Sequence, residues 1–216
     1  LKTLEQATDP IYLDAIVCHL KASSGSDNEA LRLQMINDLE LYLETFPSDS
    51  KVILAGDFNM YTSSESGFVE LLDVTNNIVF TDPANRIGSW HNNPNYVDVM
   101  TQSTRTQSGL GGATGGLDDR FDFIMTTQNL ISGTDLQYVS DSYKVWGNNE
   151  DPLCYNSDIN SSDCAGPLYS LLLRDALYNF SDHLPVTLKL ETNQTLSTNA
   201  FIVASPIQIY GSNLVD

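Results

Sequence analysis

Apolar residues along this chain fall into short runs and one longer helical repeat, separated by polar stretches. After the turn signal Asp9-Pro10, residues 11–20 (Ile-Tyr-Leu-Asp-Ala-Ile-Val-Cys-His-Leu) read as a buried strand ending near His19. Ser26, Asp27 or Asn28 can cap a helix that follows. In it Leu31, Met35, Leu39 and Tyr42-Leu43, with Ile36 beside them, recur at helical spacing, and the helix should stop before Pro47. Residues 51–55 predict a short buried strand running into Gly56-Asp57-Phe58-Asn59. A short helix is expected at 64–72, capped by Ser63 or Ser64, with Phe68, Leu71 and Leu72 on one face. From 75 to 118 the chain is rich in Asn, Gly, Thr and Ser and has little periodicity. Its glycine-rich piece, 109–116, lacks the Lys-Ser/Thr ending of a phosphate loop and follows no hydrophobic strand, so it reads as flexible loop. Strands are expected at 121–126, 136–140 and 184–190. Residues 201–203 and 207–210 can add strands or begin a neighbouring module. Strands mixed with only a few helices predict an α+β fold, not a strictly alternating parallel sheet.

The length of 216 residues with 41% hydrophobic content suffices for one domain with a core. No run approaches the roughly 20 apolar residues that span a bilayer. The start lacks the pattern of a signal peptide, and Leu1 in place of Met leads us to expect that something upstream has been removed. Charge changes the picture more. With 28 acidic and 10 basic residues the net charge is −18, which disfavours a sequence-independent grip on duplex DNA. It does not exclude a phosphate substrate, because a divalent cation can supply positive charge locally. Cys18, inside an apolar run, reads as a buried, inert thiol. Cys154 and Cys164 bracket a polar loop and are read as a disulfide. Two free thiols or half of a metal site are the alternatives. A disulfide would put the chain in an oxidising compartment, hence secreted or at the cell surface or periplasm.

Four polar pieces sit at the tips of otherwise hydrophobic strands. They are His19, Gly56-Asp57-Phe58-Asn59, Asp119-Arg120-Phe121-Asp122, and Ser181-Asp182-His183-Leu184-Pro185-Val186. Strand tips on one sheet edge converge, so distant residues can share a pocket. Each piece also has a plain structural reading. Gly56 to Asn59 can be a strand-ending turn, Asp122 can pair with Arg120, Asp182-His183 can be a surface turn, and His19 can be a satisfied core histidine. Chance explains any one of them but explains the four in this order poorly.

Together, Ile53-Leu54-Ala55-Gly56-Asp57-Phe58-Asn59, Arg120-Phe121-Asp122 and Ser181-Asp182-His183-Leu184-Pro185-Val186 resemble the signature of the endonuclease/exonuclease/phosphatase superfamily, the deoxyribonuclease I-like proteins. Val17-Cys18-His19-Leu20 is similar to its Thr-His-Leu strand, with Cys in place of Thr or Asn. The resemblance spans roughly residues 11–190. It implies a four-layer α/β/β/α sandwich and metal-dependent hydrolysis of phosphoesters. By the same resemblance His183 is the general base or a contact to the phosphoryl oxygen, with Asp122 fixing its tautomer. Asp57 orients the attacking water, Asn59 donates to the phosphate, and His19 lies near the leaving oxygen. Asp182 helps hold a divalent metal, with Mg²⁺ fitting an oxygen-rich site and Ca²⁺ or Mn²⁺ as alternatives. The Ser89-Trp90 pair is similar to an element lining the family pocket.

The pattern breaks at its start. The superfamily opens with a strand carrying an Asn and another carrying the Glu that is its main metal ligand. Glu5-Gln6 is in the wrong order and place for the latter. The expectation is therefore that residues 1–192 supply the C-terminal two-thirds of the domain, with the N-terminal portion of the same polypeptide as their partner. Residues 193–216 would be a tail or the start of a following module. The leading expectation for function is a secreted nuclease acting on phosphodiester bonds, without stable membrane insertion. A sphingomyelinase-like or other small-molecule phosphodiesterase or phosphatase is the alternative, although no exposed hydrophobic hairpin for membrane contact is evident. From another class comes a non-catalytic binding or surface-display module. A serine-hydrolase reading of Ser181-Asp182-His183 lacks a nucleophile elbow.

Overall fold

In a computed structural model, which describes residues 11–192, the chain is a mixed α/β structure with three small sheets and few helices. Its main sheet is built from β1 (Asp14–His19), β2 (Val52–Asp57), β3 (Phe80–Thr81) and β4 (Asp122–Thr127), in the order β1-β2-β4-β3. β1 runs parallel to β2, with His19 opposite Asp57. β2 runs antiparallel to β4, with Asp57 opposite Asp122. Directly opposed residues point to the same side of a sheet. His19, Asp57 and Asp122 thus form one row across three strands.

One face of this sheet carries the core. Val52, Leu54, Phe123 and Met125 point into it and meet Phe58, Phe68 and Trp90, together with Ile36 and Leu43 of helix α1 (Ser26–Leu43). The opposite face, with Val17 and Ala55, is less buried, and Val17 is 80% exposed. The strand expected to be buried at 11–20 is instead the edge strand of the sheet.

α1 follows Gly25, whose φ is 98°. No side-chain cap from Ser26, Asp27 or Asn28 is used, and the helix ends before Pro47 as expected. Its buried stripe matches the expected one only in part, at Ile36, Leu39 and Leu43. Arg32, Ile36 and Leu43 face inward, while Leu31, Met35 and Tyr42 are exposed. The reason is an ion pair. Arg32 reaches Glu65 with Nε at 2.9 Å and Nη2 at 2.8 Å, and also donates to the carbonyls of Lys21 and Ser23. A charged residue thereby takes a core position. Glu65 precedes α2 (Ser66–Leu71), which packs on α1 with Phe68 and Leu71 inward.

The remainder forms a second, smaller core. It contains Val97, Met100, Leu117, Val145, Ile159 and Leu184 around the disulfide Cys154–Cys164, which is formed as expected. Beyond the main sheet lie α3 (Gln128–Ser132), packed on β4 and its successor strand, and two antiparallel pairs. One joins β5 (Leu136–Tyr138) to β8 (Leu190–Thr192), and the other joins β6 (Lys144–Val145) to β7 (Val186–Thr187). The single strand expected at 184–190 is thus split between two pairs. Helix α4 (Leu171–Phe180) was not anticipated. Ser170 caps it by accepting from the Leu173 N–H, and buried Arg174 donates to the carbonyls of Ile159 and Ser161. That contact ties α4 to the disulfide loop. The possible strands at 201–203 and 207–210 lie outside the described residues.

Candidate active site

The sequence of the second strand explains the sharp approach at its end. Gly56 has φ 137°, and a side chain there would collide with the Cys18 carbonyl of β1. Only glycine allows this contact. Beyond it the chain turns so that the Asn59 N–H donates to Asp57 Oδ1 at 3.0 Å. The other carboxylate oxygen, Oδ2, faces two histidines. His19 Nε2 is 3.4 Å away and His183 Nε2 is 3.9 Å away.

Asp122 and His183 are brought together by Thr101 and Gln102. The Leu184 N–H donates to the Thr101 carbonyl at 2.8 Å, and the N–H groups of Phe121 and Asp122 both lie 3.2 Å from Thr101 Oγ1. This short segment acts as a spacer between the head of β4 and the Ser181–Leu184 stretch. His183 Nδ1 then lies 2.7 Å from Asp122 Oδ2. Arg120 leaves Asp122 free for this contact. It binds Asp82 through Nη1 and Nη2 at 2.8 Å each, fully buried, and stacks over Phe123. The alternative in which Arg120 pairs with Asp122 is therefore not the structure adopted.

Electrostatics follow from this crowding. Burial raises the Asp57 pKa, the negative charge of Asp122 raises it further, and His183, the Asn59 N–H and His19 partly offset this. Burial alone would lower the pKa of His183. The hydrogen bond that the ring donates to Asp122 and the charges of Asp122, Asp57 and Asp182 outweigh it and raise the value above 6.5. Cys18 is partly buried behind the row, and burial with the Asp57 charge pushes its thiol up to about 12. That keeps it protonated near neutrality, although the thiol expected to be buried is only half-buried.

Of the six residues singled out in the sequence, His19, Asp57, Asp122 and His183 converge directly. His19 is 72% exposed at its side chain, so it is not a core histidine. Asp182 Oδ2 lies 4.0 Å from His183 Nε2 and accepts the Ala113 N–H at 2.6 Å. The glycine-rich loop thus seats on Asp182, a contact that the sequence did not suggest. Asn59 is buried, and its Nδ2 donates to the Leu20 carbonyl at 3.2 Å. Trp90 does not line an open pocket. It is fully buried, donates Nε1–H to the Met60 carbonyl, and packs on Phe68 and Phe123.

Sequence reasoning missed two further features. Gln102 places its amide nitrogen 2.5 Å from His183 Nε2. On the other side of Gln102, Asp119 binds His91 Nδ1 at 2.7 Å, and Tyr61 meets that imidazole edge-on. Burial raises Asp119, and burial with the Asp119 charge raises Asp118 to about 6. His91 and Gln102 both lie in the aperiodic stretch, where no local pattern marks them.

For a divalent metal the described residues offer Asp182 beside His183, but no group of three or more His, Cys, Asp or Glu side chains among them is arranged to hold one. The donors present do not by themselves make a metal site.

No family model matches the chain, and no curated protein matches it. Among solved structures it is similar to a functionally unknown conserved protein from Enterococcus faecalis V583, at 16% identity, covering 88% of this chain and 52% of that one, with a TM-score of 0.46. It is also similar to D. rerio TDP2 complexed with a single-strand DNA product, at 16% identity over 86% of this chain and 58% of that one, TM-score 0.44. Beta toxin from Staphylococcus aureus gives 17% identity over 86% and 54%, TM-score 0.36. The chain spans little more than half the length of each. At these values the likeness is loose.

Proposed function

We propose that this chain carries the acid–base part of a phosphodiesterase of the deoxyribonuclease I-like type, and that the protein is a secreted nuclease. The observation that supports this most is the row His19–Asp57–Asp122, closed by His183. An imidazole held by one carboxylate at 2.7 Å, with its other nitrogen facing a second carboxylate, is arranged to take a proton from a water. In this reading Asp122 fixes the tautomer of His183, Asp57 orients the water, and exposed His19 lies where a leaving oxygen would depart. Mg²⁺ enters the proposal only through Asp182, and it would neutralise charge on the phosphoryl oxygens when bound. The four-layer sandwich is part of the same proposal.

The disulfide fits an oxidising compartment, and no described helix is long and apolar enough to cross a membrane. One observation favours the second reading, a lipid-headgroup phosphodiesterase. Among the described residues no hydrophobic hairpin is present, but Leu168, Leu171, Leu172 and Phe180 on and beside α4 are 50–82% exposed, and α4 ends directly before Ser181-Asp182-His183. The test is an assay of the full-length protein with Mg²⁺ against plasmid DNA, RNA, sphingomyelin vesicles and a chromogenic phosphodiester. Nuclease activity lost in His183→Ala and Asp57→Asn is expected. Cleavage of sphingomyelin alone would select the second reading, and no turnover of any substrate would favour a non-catalytic module.

A further inference from the structure

The nitrogen of His183 that the proposed chemistry needs is already engaged. Nδ1 lies 2.7 Å from the Asp122 carboxylate, which fixes its proton there and leaves Nε2 as the acceptor of the neutral ring. The group in contact with Nε2 is the amide nitrogen of Gln102, at 2.5 Å. Gln102 is held by its backbone on both sides. Its N–H donates to the Asp119 carbonyl at 3.0 Å, and its own carbonyl accepts from the N–H groups of Asp118 and Asp119 at 2.9 and 2.8 Å. Both neighbours, Thr101 and Ser103, are buried. The side chain is thus carried by a fixed segment, and among the described residues its amide makes no other hydrogen bond.

The surroundings decide what such an amide does. Asp57, Asp122 and Asp182 all face His183, so the pocket is lined by negative charge that repels a phosphate oxygen. An N–H donor at this position attracts one. Resemblance assigns the phosphate-donor role to Asn59, but the Asn59 amide is buried and spends a donor on the Leu20 carbonyl. Gln102 also has one of its two amide N–H groups engaged, but it is only half-buried and stands at the reacting nitrogen itself.

We infer that Gln102 is a substrate-contacting residue. Its amide N–H, resting on His183 Nε2 in the free protein, transfers to a non-bridging phosphoryl oxygen when substrate binds, and this frees Nε2 for the water. No covalent step is involved; one hydrogen bond changes its acceptor. The inference rests on the phosphoesterase reading, and it gives that site a donor which the sequence motifs do not contain.

The test uses the full-length protein with two readouts. In the first, the side-chain amide of Gln102 is followed by NMR while inorganic phosphate is added. Its resonances are expected to shift, and those of Gln102→Leu protein to be absent with the fold otherwise intact. In the second, hydrolysis of bis(p-nitrophenyl) phosphate is measured for wild type, Gln102→Leu and Gln102→Glu. A donor used in the transition state predicts a loss in kcat of about 100-fold for Gln102→Leu with KM little changed, and a larger loss for Gln102→Glu, whose carboxylate repels the oxygen. Active wild type with Gln102→Leu at full kcat overturns the inference alone. A wild type inactive on this diester and on DNA, RNA and sphingomyelin alike, whose Gln102 amide still shifts with phosphate, supports the contact and sinks the hydrolase. An inactive wild type with an unmoved amide overturns both.

Discussion

At the scale of single residues, the pairing of His183 with Asp122 sets the behaviour of the site with pH. Three carboxylates raise the pKa of His183 against the opposing effect of burial. A base must be unprotonated to act, so kcat/KM is expected to fall on the acid side with an apparent pKa above 6.5. In Asp122→Asn the strongest support for the protonated ring is lost while burial remains. The acid limb should move to lower pH and the maximal rate should drop, as a pH–rate profile of the two proteins would reveal. The stability sign follows. The raised pKa contributes stability that is fully present below about 6.5 and is lost as pH rises through the folded value. The melting temperature of wild type relative to Asp122→Asn should therefore decline above about pH 6.5. Equal limbs in both proteins would mean that Asp122 does not govern His183. Much of this was legible in the sequence, because Asp57, Asp122, Asp182 and His183 each follow or open a strand whose pattern is clear. Gln102 was not. It gains its place from the Thr101 contacts to strands far away in the chain, and no local signal encodes those.

At the scale of elements, the site depends on how α1 is seated. Arg32 is buried and joins α1 to Glu65, to the carbonyls of Lys21 and Ser23 that follow β1, and through Glu65 to the Tyr61 N–H that follows β2. One side chain thus braces the segments that carry His19 and Asp57. Arg32→Ala leaves Glu65 buried without its partner and should destabilise the fold by about 3–5 kcal/mol. The double replacement Arg32→Met with Glu65→Leu should cost clearly less. Urea denaturation of both variants is the measurement, and equal losses would assign the effect to packing instead of charge. Of the expected stripe Ile36, Leu39 and Leu43 pack inward, while Leu31, Met35 and Tyr42 do not, and Arg32 takes an inward place that the pattern does not mark. Hydrophobic spacing identified a helix correctly, but it cannot foresee a core position filled by a paired arginine. Arg174 of α4 is a second buried arginine of this kind, tied to carbonyls of the disulfide loop.

At the scale of the whole molecule, the net charge of −18 acts on any polyanionic substrate before contact. A basic nuclease binds DNA more weakly as salt rises, because its attraction is screened. Here the long-range force is repulsive, so raising monovalent salt from low to moderate levels should lower KM for DNA while leaving kcat nearly constant. A steep rise in KM over that range would show that a local basic surface, not the net charge, controls encounter. The charge was plain in the composition, and so was the mixed α/β class. The division of the described residues into two cores was not, because the segment from 75 to 118 bridges them without a periodic pattern. It supplies Phe80 and Trp90 to one core and Val97, Met100 and Leu117 to the other.

The alignment of His19, Asp57 and Asp122 on adjacent strands has one more consequence, for folding. Side chains alternate along a strand, so a shift of β2 by one position against either neighbour would turn its carboxylate to the opposite face of the sheet. Chains that close the sheet out of step would turn Val52 and Leu54 out of the core, put Asp57 towards it, and lose the cluster entirely. Recovery of the Asp57–His183 contact after denaturation therefore reports on correct strand alignment more stringently than recovery of secondary structure does.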